Sequence, residues 1–340
     1  MPRRSPHPDP VPSGTAPPLF SILIPTYNRA ELVPRALDSV AVQCWRDFEI
    51  VVVDDGSTDD TVATVRRWSG RRAQALRLLR QPHGGVHVAY NTGVAAARGA
   101  LIVVLGSDDQ LLPDALRRLA RCWNGIPAAQ RHAYCGVVGH GLHWHNGARV
   151  GDAYPRSPFD SNYLDLTLSR RVRGDKPGAY RRDLLLQHPF PTHAGEPFMR
   201  ESYVLKRLAL DYRTRYVDQA FQYFDYQHDG LSAQVRRLRL SSPCGMSRYF
   251  LEDANRYTRG YGAARRHEAH VRYVRYALNA GTGLRQQYRQ IRHKGWWLAA
   301  LPFGAVKSLR DVWSRGRFAR AEAVPAPARA TATMAYAERC

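Results

Sequence analysis

The chain has few of the features that would staple, export or anchor it. Five cysteines, Cys44, Cys122, Cys135, Cys244 and Cys340, are scattered over 340 residues with no CxxC spacing. This pattern argues against a disulfide framework or a zinc cluster, and a reducing cytoplasm is the expected setting. No run of 18 or more apolar residues occurs, so no transmembrane helix is expected. The opening MPRRSPHPDPVPSGTAPP is rich in proline and has no apolar core. It reads as a disordered leader over residues 1–18, not a signal peptide. Acid is the scarcer charge: 29 Asp and Glu stand against 50 Lys and Arg, a formal net charge of +21. Residues 231–340 hold 21 of those basic residues and six of the acids. Such a basic third attracts phosphates, anionic lipid or nucleic acid, and composition does not choose among them.

What is present is a core and a rhythm. Apolar residues make up 44% of the chain, enough for two modest domains or one large one with an appendage. LFSILIPTYN and FEIVVVDDGSTDDT each open with an apolar run, as expected of strands buried on both faces. ALRLL and ALIVVL supply a third and a fourth strand. Helical patterns fill the gaps: AELVPRALDSVAVQ, the stretch after Thr58 to about Trp68, and GGVHVAYNTGVAAARG. Asn28 and Glu31 fit a capping box for the first helix, and Pro34 strains it. Alternation of this kind means βαβ units and a parallel sheet, whose ligands bind beyond the carboxyl ends of the strands. Further on, a strand is expected over 134–145, a helix from about Phe198, and two strands within YRTRYVDQAFQYFDYQHDGLS. GWWLAALPFGAV, residues 295–306, is too short to cross a bilayer and fits either a surface-lying or a buried helix.

One feature runs against the charge balance. At the end of the fourth strand Gly106 and Ser107 are followed by adjacent acids, Asp108 and Asp109. Like charges this close need a cation or a helix N-terminus to relieve them. A hard divalent ion bridging carboxylates to a substrate diphosphate meets that need. Tyr27 and Asp55 also follow strand ends, and the topology gathers all of them on one edge.

These motifs, in this order and spacing, resemble the family 2 glycosyltransferases of GT-A fold. The resemblance rests on SILIPTYNRAELVPRALDSV, DFEIVVVDDGSTDDT, GGVHVAYNTGVAAARGALIVVLGSDD and YQHDGLS. It implies an α/β domain over 19–235 with a mostly parallel, Rossmann-like sheet flanked by helices. A basic helical extension over 236–320 and a disordered tail over 321–340 would follow. The implied activity is inverting transfer of a sugar from a nucleotide sugar, UDP-linked by expectation, with Mg²⁺ or Mn²⁺. The resemblance places Pro25, Thr26 and Tyr27 around the base, Asp55 on the uracil imide N–H, and Asp108 at the nucleotide. It gives Asp109, Asp108 and His228 to the metal, with Asp109 favoured for direct contact. Glu201 takes the position of the acceptor-activating base, with Glu196 as rival. Two departures stand out. Gly106 occupies the first position of a usual Asp-x-Asp-Asp, and Tyr90 replaces the arginine of a usual Ala-Arg-Asn.

The implied acceptor is a small molecule, a saccharide or a lipid-linked glycan. Peripheral contact with the inner face of a membrane and a homodimer are compatible uses of the basic part; no specific nucleic acid is expected. A nucleotidyltransferase is the alternative enzyme, but it needs a basic glycine-rich loop after the first strand, where only Arg29 stands. A non-catalytic membrane or nucleic-acid binder is the other alternative. Of His140, His143 and His145, a strand points 143 and 145 to one face; metal binding is one reading of them and a polar acceptor cleft the favoured one.

Overall fold

The computed structural model describes residues 17–71, 75–258 and 261–322, with the side chains of 315–322 left aside. The expected leader up to residue 16 and the tail from residue 323 lie outside the described residues. The chain divides into two compact units between Tyr249 and Phe250.

The first unit begins with β1 (Phe20–Thr26), α1 (Val33–Ala41), β2 (Phe48–Asp54), α2 (Thr61–Ser69), β3 (Leu76–Arg80), α3 (Val86–Ala96) and β4 (Leu101–Val104). It continues through β5 (Gln110–Leu111), α4 (Ala115–Asn124), β6 (Tyr134–His143), β7 (Phe159–Ser161), β8 (Gly178–Arg181) and α5 (Arg182–Gln187). Then come α6 (Ser202–Asp211), β9 (Arg213–Phe224), α7 (Leu231–Leu240) and α8 (Pro243–Glu252). All nine strands form one sheet in the order β3-β2-β1-β4-β8-β6-β9-β5, with β7 also on β9. The expected parallel pattern holds across β3-β2-β1-β4. It reverses at β8, which is antiparallel to both β4 and β6, while β6 and β9 are parallel.

The apolar runs are continuous because both faces of the sheet are covered. Side chains alternate across a strand. Phe20, Ile22 and Ile24 of β1 pack with Leu37 of α1 and Leu116 of α4 on one side. Leu23 packs with Val51, Ala89 and Ile102 on the other. One buried acid ties the amino ends of these strands together. Glu49 accepts from Ser21 Oγ at 2.6 Å, from the Arg98 backbone N–H at 2.5 Å and from Arg77 at 2.9 Å. Burial works to raise its pKa, but these donors and the charge of Arg77 outweigh it and hold the carboxyl below the usual range.

Several local expectations are corrected. The stretch 212–232 holds one strand, β9 (Arg213–Phe224), where two were expected, because β6, β5 and β7 all pair along its length. The Asn28–Glu31 capping box is absent. Asn28 has φ 51° and its carboxamide oxygen accepts from the Thr58 N–H at 2.8 Å, so it binds the neighbouring loop. The helix starts later, at Val33, which puts Pro34 in the first turn where its missing N–H costs no bond. The helix expected from Phe198 starts at Ser202.

The second unit contains α9 (Ala263–Asn279), α10 (Leu284–Gln290) and α11 (Lys294–Glu322). Gly304 of α11 sits so close to α9 that a Cβ there would lie 2.5 Å from Val274. Arg275 and Asp311 join the same two helices through paired hydrogen bonds.

The Glu49 cluster makes a stability prediction. Glu49→Ala should cost about 2 kcal/mol in denaturant melts at pH 7, since it leaves buried Ser21 and the Arg98 amide without their acceptor. Because the folded-state pKa is depressed, Glu49's contribution is present above pH 4.5 and disappears as pH falls below it. The difference between wild type and variant should therefore shrink on acidification.

Candidate active site

Proline 25 explains where the sheet opens. Leu105 still donates to the Leu23 carbonyl at 3.0 Å, but the next donor from β1 would be residue 25, which has no N–H. The chain after β4 is released there and turns through Gly106, Ser107, Asp108 and Asp109. Pro25 and Thr26 themselves are buried in β1, and the Thr26 carbonyl accepts from the Asp55 N–H at 2.9 Å. Both act through the backbone.

The released loop brings the two acids together. A Cβ placed on Gly106 would lie 2.6 Å from Asp109 Oδ2 and 2.9 Å from Asp108 Oδ1. Two carboxylate oxygens thus converge over the one residue that leaves them room. A side chain at 106 would require both carboxylates to swing aside. Helix capping does not account for the pair, because β5 follows directly and α4 starts only at Ala115. Asp109 accepts from Gln222 Nε2 at 2.8 Å and from the Asp225 N–H at 3.1 Å. Even so its pKa is pushed up to about 7, first by burial and then by the charge of Asp108. Burial also raises Asp108, with Asp225 adding repulsion and Arg29 and Arg35 opposing it.

Arginine 35 holds this corner without neutralising it. One of its nitrogens donates to the Asp108 carbonyl and to Asp225 Oδ2, both at 2.6 Å. Its guanidinium lies 5.3 Å from the centre of the Trp144 ring. Arg29 pairs with Asp229 at 2.9 Å and so fixes the turn after β9. That turn carries His228, which is exposed and makes no hydrogen bond or ion pair among the described residues. Among the described residues no three His, Cys, Asp or Glu side chains are gathered to hold a metal, so His228 does not join Asp108 and Asp109 here. The two aspartates alone fit a hard divalent cation that takes its other ligands from a diphosphate and water.

Asp55 is buried, and its acceptor positions are in use. Oδ1 accepts from Gln81 Nε2 at 2.6 Å and from the Gly84 N–H at 3.0 Å; Oδ2 accepts from the Gly85 N–H at 2.8 Å and lies 2.9 Å from His83 Nδ1. A carboxylate offers about four lone pairs, so an open face for a uracil imide is lacking in this arrangement. Asp55 instead anchors the loop into α3. Gly85 in that loop has φ 94°, and a Cβ on it would meet the Pro197 carbonyl at 1.9 Å. The anchored loop sets the His83 ring against Tyr27, with centroids 4.1 Å apart and planes 24° from parallel. Tyr27 is exposed, so the pair forms an aromatic shelf.

The two glutamates separate cleanly. Glu196 accepts from the Cys244 and Gly245 N–H groups, each at 2.7 Å. It caps the start of α8 and is withdrawn from chemistry. Glu201 is exposed and makes no hydrogen bond or ion pair among the described residues. The protein mass around it, followed by the charge of Asp175, pushes its pKa up to about 7. Asp175 also acts on Asp109, and the Tyr90 hydroxyl feels both Glu201 and Asp109. These acids therefore share one electrostatic neighbourhood.

The three histidines do not act together. His140 is buried, stacked on Tyr154 and 2.9 Å from Asp218; burial first, then Lys176, lowers its pKa to about 4. His143 lies near Tyr226, and His145 reaches Asp225 at 3.4 Å. Sequence reasoning missed Arg35, His83, Gln222 and Asp225. Of these only Asp225 carried a signal, as the acid opening the stretch that ends in YQHDGLS.

A mixed α/β sheet, parallel across β3-β2-β1-β4, with converging carboxylates and an aromatic shelf at its carboxyl edge fits a nucleotide-binding transferase fold of the GT-A type. The model of the family described as Glycosyl transferase family 2 matches residues 21–188, and this segment belongs to that family. A PGL/p-HBAD biosynthesis glycosyltransferase of Mycobacterium tuberculosis is 43% identical over 106 residues, 31% of this chain and 41% of that protein. Hyaluronan synthase of Pasteurella multocida is 40% identical over 99 residues, 29% of this chain and 10% of that protein. The matches thus span less than half the length of either relative. Among solved structures, S. aureus TarS 1-349 in complex with UDP-GlcNAc aligns with a TM-score of 0.53 at 18% identity, over 89% of this chain and 92% of that one. The mannosyltransferase PcManGT from Pyrobaculum calidifontis, in complex with GDP-Man and Mn²⁺, gives 0.52 at 23% identity, over 87% and 88%. At these identities the likeness shows the shared fold.

Two outcomes follow. Glu196→Ala should lower stability by about 1 kcal/mol in thermal or denaturant unfolding, as loss of a helix cap does, without altering the pH profile of turnover. Asp109→Asn in metal-free buffer should become more stable relative to wild type as pH rises from 4 to 7. The raised native pKa means that ionising Asp109 costs folding free energy over that window. A flat difference across those pH values would contradict the burial and repulsion assigned to Asp109.

Proposed function

We propose that the chain transfers a sugar from a nucleotide sugar, of the UDP class, to an acceptor hydroxyl with inversion at the anomeric carbon. The observation that carries this reading is the convergence of Asp108 and Asp109 over Gly106, beside the Tyr27–His83 shelf and the free carboxylate of Glu201. Two relatives in fold are seen with UDP-GlcNAc and GDP-Man, and a nucleoside diphosphate sugar is the donor class they share.

In this reading the base stacks on Tyr27, whose ring is backed by His83. Asp55 contributes by holding the loop that positions His83. Asp108 and Asp109 would hold Mg²⁺ or Mn²⁺, with Asp109 oriented by Gln222 and the Asp225 N–H. The ion, when bound, offsets the charge of the diphosphate as it departs. Glu201 accepts the acceptor's hydroxyl proton while the acceptor oxygen bonds to the anomeric carbon. The bond from that carbon to the diphosphate breaks on the opposite side. A base with a pKa near 7 is half ionised at neutral pH and is well matched to this proton transfer. The nucleotidyltransferase alternative fares worse, because Arg29 is already committed to Asp229 and to the Asn28 carbonyl.

UDP release from UDP-sugars with Mn²⁺ and a panel of acceptors tests the reading. Wild-type kcat/KM should rise with pH and level off above about pH 7. Glu201→Gln should lose about 10²–10⁴-fold in kcat and the rising limb with it. Full turnover by Glu201→Gln, or by Asp109→Asn at saturating metal, would refute the assignment.

A further inference from the structure

The long helix α11 is apolar on two opposite sides. One side is a buried seam: Gly304, Ser308 and Asp311 meet α9, and Trp297 donates to Gln287 of α10 at 3.3 Å. Ser308 donates to Asn279 at 2.7 Å, and Asp311 is bound by Arg275 and Asn279. The other side bears Leu298, Val306, Leu309 and Trp313, every one exposed, with Leu309 and Trp313 each 70% open to solvent, while Phe303 at its edge meets His267 of α9. At about 100° per residue, Leu298, Val306, Leu309 and Trp313 fall within an arc of about 80° centred opposite the seam. A protein in water rarely leaves such a stripe uncovered.

The charges around the stripe say what covers it. Arg310 borders the stripe and Lys307 lies farther round on the same side, toward the seam; both are exposed. Between residues 294 and 314 the single acid is Asp311, which is turned into the seam and paired. Residues 250–340 carry 17 Lys and Arg against six Asp and Glu. No described helix is long and apolar enough to cross a membrane. An exposed apolar face with a basic flank and no facing acid suits an interface of acyl chains and anionic headgroups. A second copy fits less well, since a twofold contact would set two basic flanks in one neighbourhood. We infer that the outward face of α11 docks the protein on an anionic lipid surface, the helix lying in the interface plane. The inference is independent of the proposed activity.

Sedimentation of the full chain with vesicles tests it, using phosphatidylcholine alone and phosphatidylcholine with about one third phosphatidylglycerol. Wild type should bind the anionic vesicles at least tenfold more tightly than the neutral ones, and 0.5 M salt should weaken the binding. Leu309→Ser with Trp313→Ser should keep the thermal melt, because both side chains are exposed, and weaken binding at least tenfold with every basic residue in place. Lys307→Glu with Arg310→Glu should reduce binding to the anionic vesicles only. Wild type left in the supernatant would overturn the proposal, as would unaltered binding of the Leu309/Trp313 variant. So would a wild-type dimer in light scattering that this variant converts to monomer, because the face would then belong to a second copy.

Discussion

Two negative charges held together over a glycine are the constraint around which the rest of the first unit is arranged. Carboxylates that converge this closely, half sheltered from water, repel and resist ionisation. The structure does not relieve them with the cations at hand. One Arg35 nitrogen donates to a carbonyl and to Asp225, and Arg29 pairs with Asp229, so both act on Asp108 only through space. Both arginines hold the loop in shape while leaving the carboxylate oxygens of Asp108 and Asp109 without a direct cationic partner. Such an arrangement costs stability in the free protein. It makes sense where a ligand supplies the missing positive charge, and it rules out reading the pair as an ordinary surface salt-bridge motif.

The same logic orders the neighbouring elements. Pro25 ends the β1–β4 ladder at the point where the acidic loop must leave the sheet. β9 reaches back to fix Asp109 through Gln222 and the Asp225 amide. The chain as a whole is strongly basic, yet Asp108, Asp109, Asp175 and Glu201 make this one neighbourhood acidic. The surplus of positive charge sits in the sequence after residue 230. Net charge and site charge therefore have opposite signs, and neither could be inferred from the other.

Much of this was legible in the sequence because it is written in local pattern. Apolar runs ending in polar turns located β1 to β4, and strand ends located Tyr27, Asp55, Asp108 and Asp109. What was not legible depends on distant pairing. Nothing local distinguishes one long strand from two over 212–226, since β9 is defined by its neighbours. Glu196 and Glu201 look alike five residues apart; only the fold sends one to the α8 amides and leaves the other free. His228 looked like a ligand by its motif, but its exposed turn is tied down through Asp229 instead. The residues that were missed, Arg35 and Gln222 among them, are ordinary by type and acquire meaning from partners far along the chain.

The contrast between Asp55 and Asp109 carries the argument one step further. Each is a buried or half-buried acid just past a parallel strand, and each accepts backbone N–H groups. Asp55 accepts from Gln81 and from the Gly84 and Gly85 N–H groups, with His83 beside it, so it behaves as a rivet for the loop into α3. Asp109 has two donors and a like charge beside it, so it stays incompletely satisfied. The count of donors, not the identity of the residue, separates the acid that builds the site from the acid with capacity left for a ligand. The exposed flat surface on this edge is that of Tyr27, backed by His83. Stacking is tolerant of the ring it receives, so discrimination between nucleotides would have to come from backbone groups of the loop that Asp55 holds in place.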